Sequence, residues 1–201
     1  MEEKLNVICF GDSNTYGAGG FGDYRYSAEE RWPDILSMDP VFSGKYEFVN
    51  MGENGREIPD NLFKIGSVRM KMSDYEPIAL IIIMLGTNDL IKLYRRGMAK
   101  IVSRMELFIR ELLEWRPDPS KIMLIAPVHT SFEDYGSVGV DLDDLCEEFS
   151  DAYRELADKY GVHFADAAQW NVELGPDGVH FSENGHIAFA RGIKPELMKI
   201  L

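Results

Sequence analysis

Hydrophobic and polar residues alternate along this chain in blocks of two kinds. Five short runs are mostly apolar, which is typical of strands buried on both faces of a sheet: Leu5–Phe10, Tyr46–Asn50, Ala79–Leu85, Lys121–Ala126 and Val162–Ala165. Four longer segments repeat apolar residues at three- and four-residue spacing and predict amphipathic helices: Asn61–Met72, Lys100–Trp115, Leu142–Tyr160 and Ser182–Leu201. Ser182 is a candidate N-cap of the last helix, and Pro195 predicts a kink or a restart within it.

This alternation of strands and helices predicts an α/β fold in which helices cover both faces of a parallel sheet. Five strands favour the order 2-1-3-4-5, with ligands bound outside the carboxyl ends of the strands beside strand 1. No repeat, low-complexity tract or linker interrupts the pattern, so we predict a single domain over residues 1–201.

The composition narrows the class of partner. Of the 201 residues, 45% are apolar, and 34 acidic residues outnumber 21 basic ones to give a formal net charge of −13. This balance, without a basic cluster, argues against nucleic acid and anionic membrane surfaces as partners. The polar start of the chain and its short apolar runs predict neither a secretory signal nor a membrane span. We therefore expect a cytoplasmic protein, with Cys9 and Cys146 as buried free thiols.

Two polar segments near opposite ends of the chain carry candidate catalytic residues. The first reads Gly-Asp-Ser-Asn at residues 11–14, and the second reads Asp-Gly-Val-His at residues 177–180. A serine hydroxyl becomes a nucleophile when an imidazole takes its proton and a carboxylate fixes the tautomer of that imidazole. Asp177 is close enough in sequence to reach Nδ1 of His180, which leaves the other ring nitrogen to accept the proton of Ser13. Judged alone, the first segment is better explained as a turn that caps a helix, and the second could be a surface turn.

Two further turns carry candidate oxyanion donors. Gly55 follows the second strand, where a glycine lets its N–H approach a developing oxyanion, and Asn88 after the third strand offers a side-chain amide. An ordinary turn or a helix cap explains either residue when it is judged alone. The four motifs together, in chain order and each at the end of its element, favour one assembled site. We predict no metal site, because these turns supply too few convergent ligands, and no cofactor.

The combination resembles the SGNH family of serine hydrolases, also called the GDSL esterases, over Gly11 to His180. The resemblance implies a flavodoxin-like three-layer α/β/α sandwich and a serine esterase or lipase-like hydrolase that cleaves a small carboxylic ester or thioester through an acyl-enzyme. By position, Ser13 corresponds to the nucleophile, Asp177 and His180 to the acid and base. The oxyanion would be held by the N–H groups of Ser13 and Gly55 and by the Asn88 amide, and Gly52 is the less favoured glycine.

The first motif departs from the pattern that gives the family its name. It reads Gly-Asp-Ser-Asn rather than Gly-Asp-Ser-Leu. Together with Glu-Arg-Trp-Pro at residues 30–33 and Asn-Gly-Arg at residues 54–56, it is similar to a subgroup of arylesterases, acyltransferases and carbohydrate esterases. This departure does not affect the residues that correspond to the catalytic ones, but it leaves the substrate preference undetermined.

The remaining histidines and the loop aromatics are candidates for the walls of the pocket. His129 follows strand 4 and lacks an acid at short spacing, so we predict a wall residue rather than a base. His163 is predicted to be a satisfied core residue, and His186 to face outward or pack on the last helix. Specificity is expected in three loops, Thr15–Arg25, Leu90–Gly97 and Thr130–Val140. Their aromatic side chains could line a pocket or pack the loops down: Tyr16, Tyr24, Tyr94, Phe132 and Tyr135.

Three other functions remain open at this stage. The same site could transfer an acyl group to an alcohol, since only water access and acceptor binding differ. A non-catalytic flavodoxin-like module would bind a phosphate or flavin, but its first loop would need more Ser, Thr and Gly than this chain has. A non-catalytic scaffold relative would be expected to have lost a catalytic residue. The natural ester, the acyl length and whether the chain forms a homo-oligomer are left open.

Overall fold

The computed structural model describes residues 3–20, 24–93, 97–131 and 136–201, the last range without the side chains of residues 136–142. Its centre is a parallel sheet of five strands: β1 Leu5–Gly11, β2 Tyr46–Gly52, β3 Ile78–Met84, β4 Ile122–Ala126 and β5 His163–Asp166. The order is β2-β1-β3-β4-β5, which confirms the predicted topology. Each predicted strand is present, with its ends displaced by two residues at most.

Helices cover both faces of this sheet. The described part of the chain contains α1 Ser13–Tyr16, α2 Trp32–Met38, α3 Leu62–Ser73, α4 Thr87–Leu93, α5 Gly97–Trp115, α6 Gly136–Tyr160 and α7 Glu183–Ile200. Successive side chains of a strand point to opposite faces, so Ile8 and Phe10 join one core with α3, α5 and α6. Val7 and Cys9 join the other core with α2 and α7. The result is the three-layer α/β/α sandwich that the resemblance implied.

The burial of the central strand and the state of the two cysteines agree with the predictions from the sequence. Strand β3 is buried along its whole length, as expected for a central parallel strand covered on both faces. Cys9 and Cys146 are both free and buried, which confirms the prediction for the thiols. Over the ranges that the structure describes, no helix has the length and apolar character needed to cross a membrane.

Several predicted element boundaries are wrong. Helix α6 begins at Gly136 rather than at Leu142, and the predicted loop Leu90–Gly97 is helical in its first half because α4 continues to Leu93. Helix α7 runs through Pro195 without restarting. Proline removes one backbone hydrogen bond there, but apolar neighbours on both sides of it are fully buried and hold the helix on the sheet.

Helix α2 was not predicted, although the sequence contains a signal for it. Pro33 lies in the first turn, where a missing N–H costs nothing. Trp32 and Leu36, four residues apart, form the buried face of this short helix. Seven residues give too few repeats for a periodicity to stand out, and the proline was the better indication.

Candidate active site

The residues predicted as catalytic or as oxyanion donors meet in one cavity. It has a volume of about 480 Å³ and lies beyond the carboxyl ends of β1, β2 and β3. Ser13, Gly55, Asn88, Asp177 and His180 all line it. The other lining residues are small, polar or aliphatic: Ala18, Gly19, Gly20, Asn54, Ile91 and Val179.

Ser13 lies on a short turn that exits strand β1. It is the first residue of α1, and the Asp12 carboxylate caps this helix by accepting a hydrogen bond from the Asn14 N–H at 3.0 Å. Helix α1 ends after four residues at Gly17, whose φ of 90° is in the left-handed region that glycine favours. The strand end, the cap and the left-handed stop therefore hold Ser13 at the rim of the sheet.

Asp177 and His180 form a hydrogen-bonded pair. Asp177 Oδ2 lies 2.6 Å from His180 Nδ1, and Asp177 Oδ1 accepts the backbone N–H groups of Val179 and His180 at 3.0 Å each. Partial burial acts to raise the pKa of Asp177, but the hydrogen bonds from His180 and Val179 outweigh it and lower that pKa. In the neutral ring, an ionised carboxylate beside Nδ1 favours the tautomer in which that nitrogen carries the proton, and this tautomer leaves the lone pair of Nε2 free.

A neighbouring loop supports the segment that carries this pair. The Ser131 N–H donates to the Gly178 carbonyl at 2.8 Å. Gly178 has a φ of 68°, and a Cβ there would stand 1.8 Å from the Ser131 carbonyl oxygen. Only glycine fits at this position between Asp177 and His180.

Gly55 and Gly52 have different surroundings. Gly55 has a φ of 70° and open space where a side chain would be, and it borders the cavity. The Gly52 N–H is already bonded to Asn50 Oδ1 at 3.0 Å, and a Cβ on Gly52 would stand 2.0 Å from the backbone nitrogen of Tyr16. Gly52 therefore allows α1 to pack on the end of β2, while Gly55 is the glycine whose backbone faces the cavity.

Asn88 and Arg56 link the two turns on the oxyanion side. Asn88 Nδ2 donates one hydrogen to the Arg56 carbonyl at 3.2 Å, so the second amide hydrogen remains for a ligand. The Arg56 guanidinium donates to the Gly11 carbonyl at 2.7 Å and to the Met51 carbonyl. Arg56 thereby ties the ends of β1 and β2 to the turn carrying Gly55. The sequence analysis assigned Arg56 no role. Its partners are backbone carbonyl groups, which every residue has, so these contacts cannot be recognised from the types of residue in the sequence.

Asp12 is the buried acid next to Ser13, with 3% of its surface exposed. Burial raises its pKa to about 6, although the hydrogen bond from the Asn14 N–H and the charges of His180 and Arg56 act in the opposite direction. A carboxyl whose pKa is higher in the folded state than in the unfolded state stabilises the fold at low pH. That contribution is lost as the pH rises through the folded-state pKa.

We therefore expect Asp12→Asn to become progressively more stable than the parent protein between pH 4 and pH 6, because the amide keeps the cap and never ionises. The full difference in the free energy of unfolding should reach about 3 kcal/mol above pH 6. Urea unfolding across this range measures it. Asp39→Asn is the control: hydrogen bonds from Lys194 and Val41 outweigh burial and lower the pKa of Asp39, so its contribution changes only below about pH 4 and its difference from the parent should stay nearly constant from pH 4 to pH 6. A constant difference between Asp12→Asn and the parent would contradict the prediction.

The predicted wall residues do not all reach the cavity. The Tyr16 ring packs against the Arg25 guanidinium at 4.0 Å, and neither Tyr16 nor His129 is among the residues that line the cavity. His129 is half-buried after β4, and within the described residues its Nε2 is buried without a hydrogen-bond partner. Tyr94, Phe132 and Tyr135 lie outside the described residues.

The other two histidines lie away from the cavity lining. His163 is half-buried at the start of β5 and its Nε2 is 3.2 Å from the Ser120 carbonyl, so the prediction of a core position is wrong. His186 packs in α7 between Tyr26 and Phe181, and burial lowers its pKa to about 4. Among the side chains described, no group of three His, Cys, Asp or Glu could hold a metal ion.

Comparisons with known proteins agree with this architecture. Residues 9–188 match the GDSL-like lipase/acylhydrolase family. A GDSL esterase/lipase of Arabidopsis thaliana is 25% identical to this chain, over 90% of this chain and 74% of its own length.

Two solved structures have the same fold. A carbohydrate acetylesterase from Sinorhizobium meliloti has 24% identity and a TM-score of 0.83, covering 98% of this chain and 100% of that chain. An aryl esterase of M. smegmatis has 22% identity and a TM-score of 0.82, with coverages of 98% and 100%. The family model matches residues 9–188, which is most of this chain. This chain therefore belongs to the GDSL-like lipase/acylhydrolase family of ester-hydrolysing enzymes.

Proposed function

We propose that this enzyme cleaves a small carboxylic ester or thioester with Ser13 as nucleophile, His180 as general base and Asp177 as the acid that orients it. The observation that carries the proposal is the 2.6 Å bond between Asp177 and His180 Nδ1, in the same cavity as Ser13. A surface turn needs no such pair in one cavity with a serine and two candidate oxyanion donors. The arrangement matches the roles of a serine hydrolase, in which each group acts on the next.

The reaction proceeds in two halves. Ser13 Oγ attacks the carbonyl carbon while His180 Nε2 takes the hydroxyl proton, and the ionised Asp177 stabilises the resulting imidazolium. His180 then protonates the leaving alcohol or thiol as the bond to the carbonyl carbon breaks, which leaves an acyl group on Ser13. Water attacks this acyl-enzyme with His180 again as base, and the carboxylic acid departs as Ser13 recovers its proton.

The negative charge of each tetrahedral intermediate needs donors already in place. The backbone N–H groups of Ser13 and Gly55 and the free amide hydrogen of Asn88 are the three donors proposed. Ser13 supplies its N–H from the first turn of α1, where backbone N–H groups are not used within the helix. The bond from Asn88 to the Arg56 carbonyl restrains the amide, so little reorganisation is needed during the reaction.

The cavity lining favours a short acyl group. Ala18, Gly19 and Gly20 contribute almost no side chain, and Ile91 and Val179 supply a small aliphatic surface. A long acyl chain would therefore find little apolar surface to contact in this cavity. We infer an acetyl or similarly short acyl group, and a carbohydrate acetylesterase is among the solved structures with this fold.

The proposal is tested by hydrolysis and covalent labelling of the unmodified protein. With p-nitrophenyl acetate, butyrate and octanoate, turnover should decrease with acyl length. A fluorophosphonate should abolish turnover and add once, on the tryptic peptide 5–25, in which Ser13 is the only serine. Denatured protein is the control for non-specific labelling. Absence of ester turnover, or inactivation with the adduct on another peptide, would overturn the proposal.

A further inference from the structure

The side chain of Asn14 joins two segments that are far apart in sequence. Asn14 Nδ2 donates to the Val179 carbonyl at 3.0 Å, and Asn14 Oδ1 accepts the Phe181 N–H at 2.9 Å. These partners are 165 and 167 residues away, and they are the two residues on either side of His180. Asn14 is 6% exposed and follows Ser13 directly.

This pair of bonds restrains the backbone around the proposed base. One planar amide satisfies a carbonyl before His180 and an N–H after it, so the peptide segment can neither rotate nor shift without breaking both bonds. The same residue is anchored on its own side, because its backbone N–H is bonded to Asp12. Asn14 therefore makes one unit of the turn that carries Ser13 and the loop that carries His180.

We propose that Asn14 is a positioning residue that sets the distance between the Ser13 hydroxyl and the His180 ring. This inference rests on the proposed roles of those two residues. Asp177 orients the His180 ring relative to residues 177–180, which carry them both. Among the described residues, Asp177 makes no hydrogen bond to the turn that carries Ser13, so it cannot by itself set the distance between Ser13 and His180. A leucine at position 14, as in the Gly-Asp-Ser-Leu pattern, has no polar atom and could not make either bond.

Removal of the amide should affect proton transfer more than binding. The residues that line the cavity all remain in an Asn14→Ala variant, so substrate binding has no reason to weaken strongly. Proton transfer depends on a hydrogen-bond distance between nucleophile and base, and a misplacement of about 1 Å can cost roughly a hundredfold in rate. The expected signature is therefore a lower kcat with KM little changed.

The experiment compares two changes at Asn14 with a matched asparagine. Asn14→Ala removes both bonds, and Asn14→Asp keeps an acceptor for the Phe181 N–H but places a negative charge against the Val179 carbonyl. Asn6→Ala is the control, because Asn6 Nδ2 donates to the Tyr75 carbonyl at 2.7 Å from the opposite end of the same strand. All variants are checked for folding by near-ultraviolet circular dichroism before the kinetics of p-nitrophenyl acetate hydrolysis are measured.

We expect kcat to fall by up to about a hundredfold in Asn14→Ala and by an intermediate factor in Asn14→Asp. The downfield proton resonance of His180 Nδ1–H, identified by its loss in His180→Ala, should broaden in both Asn14 variants. Asn6→Ala should lose some stability but keep the kcat and the resonance of the parent. A purely structural role for Asn14 would lower the unfolding temperature without these two changes.

Two results would overturn the inference. One is a folded Asn14 variant with the parent kcat, and the other is an equal fall of kcat in Asn6→Ala. If Asn14→Ala does not fold, the kcat of Asn14→Asp is the test, because that variant keeps the size of the side chain and one of its two hydrogen bonds. Retained activity in His180→Ala would instead reject the proposed function, so the two failures are distinguishable.

Discussion

Replacement of Ser13 by alanine should remove ester hydrolysis almost completely. The change deletes the atom that would form the proposed acyl-enzyme, and no other described residue that lines the cavity has a hydroxyl. Loss of the nucleophile of a serine hydrolase costs roughly a millionfold in kcat. The measurement is the steady-state rate with p-nitrophenyl acetate after correction for the reaction in buffer.

The fold should survive this change, because the cap of α1 is supplied by Asp12 and not by Ser13. Ser37→Ala is a useful control. The Ser37 hydroxyl accepts the Phe48 N–H at 2.8 Å on the α2 side of the sheet, so its loss should reduce stability and leave turnover unchanged. Ser13→Ala protein that is folded and still turns over the ester would remove the basis of the covalent mechanism.

Replacement of His180 by alanine should have an effect of similar size, roughly a millionfold in kcat. Without the ring, the hydroxyl keeps its proton and the Asp177 carboxylate has nothing to orient. His129→Ala is the matched comparison, since His129 follows strand β4 near the same edge of the sheet but does not line the cavity. It should reduce turnover modestly at most. Comparable losses in the two variants would contradict the assignment of His180.

The pH dependence provides a second measurement of the same role. If the neutral imidazole of His180 is the base, as proposed, turnover should decrease towards acidic pH. The pKa of the buried Asp12 is raised to about 6, so its own titration could produce a similar decrease. Asp12→Asn separates the two causes, since the decrease should persist in that variant if His180 is the base. A rate independent of pH in Asp12→Asn would show that Asp12, not His180, controlled it.

The sheet was predictable because its information is local. A strand covered by helices on both faces must be apolar throughout, so β3 appears in the sequence as an unbroken run, and the order follows from the crossover rule. Helix boundaries were less predictable. Helix α6 begins at Gly136, six residues before its predicted start. Helix α7 continues through Pro195, because tertiary packing of the buried Ile193 and Leu197 overrides local propensity.

In the candidate site, too, some features could be predicted from the sequence and others could not. The pair of Asp177 and His180 could be foreseen, since three residues in a turn bring a carboxylate to a ring nitrogen. The gathering of Ser13, Gly55 and Asn88 followed from the rule that ligands bind at the carboxyl ends of parallel strands. Of the predicted wall residues, Tyr16 and His129 do not line the cavity, because a position in a neighbouring loop does not determine where a side chain points.

For this protein, the sequence by itself determined the order of the strands, the candidates for the reactive groups and the edge of the sheet at which these candidates meet. Periodicity and short spacings along the chain encode these properties. Only the tertiary structure revealed Asn14 against the backbone on both sides of His180, and Arg56 against the ends of β1 and β2. Their partners are main-chain atoms, which every residue has, so no pattern of side chains could have indicated these contacts.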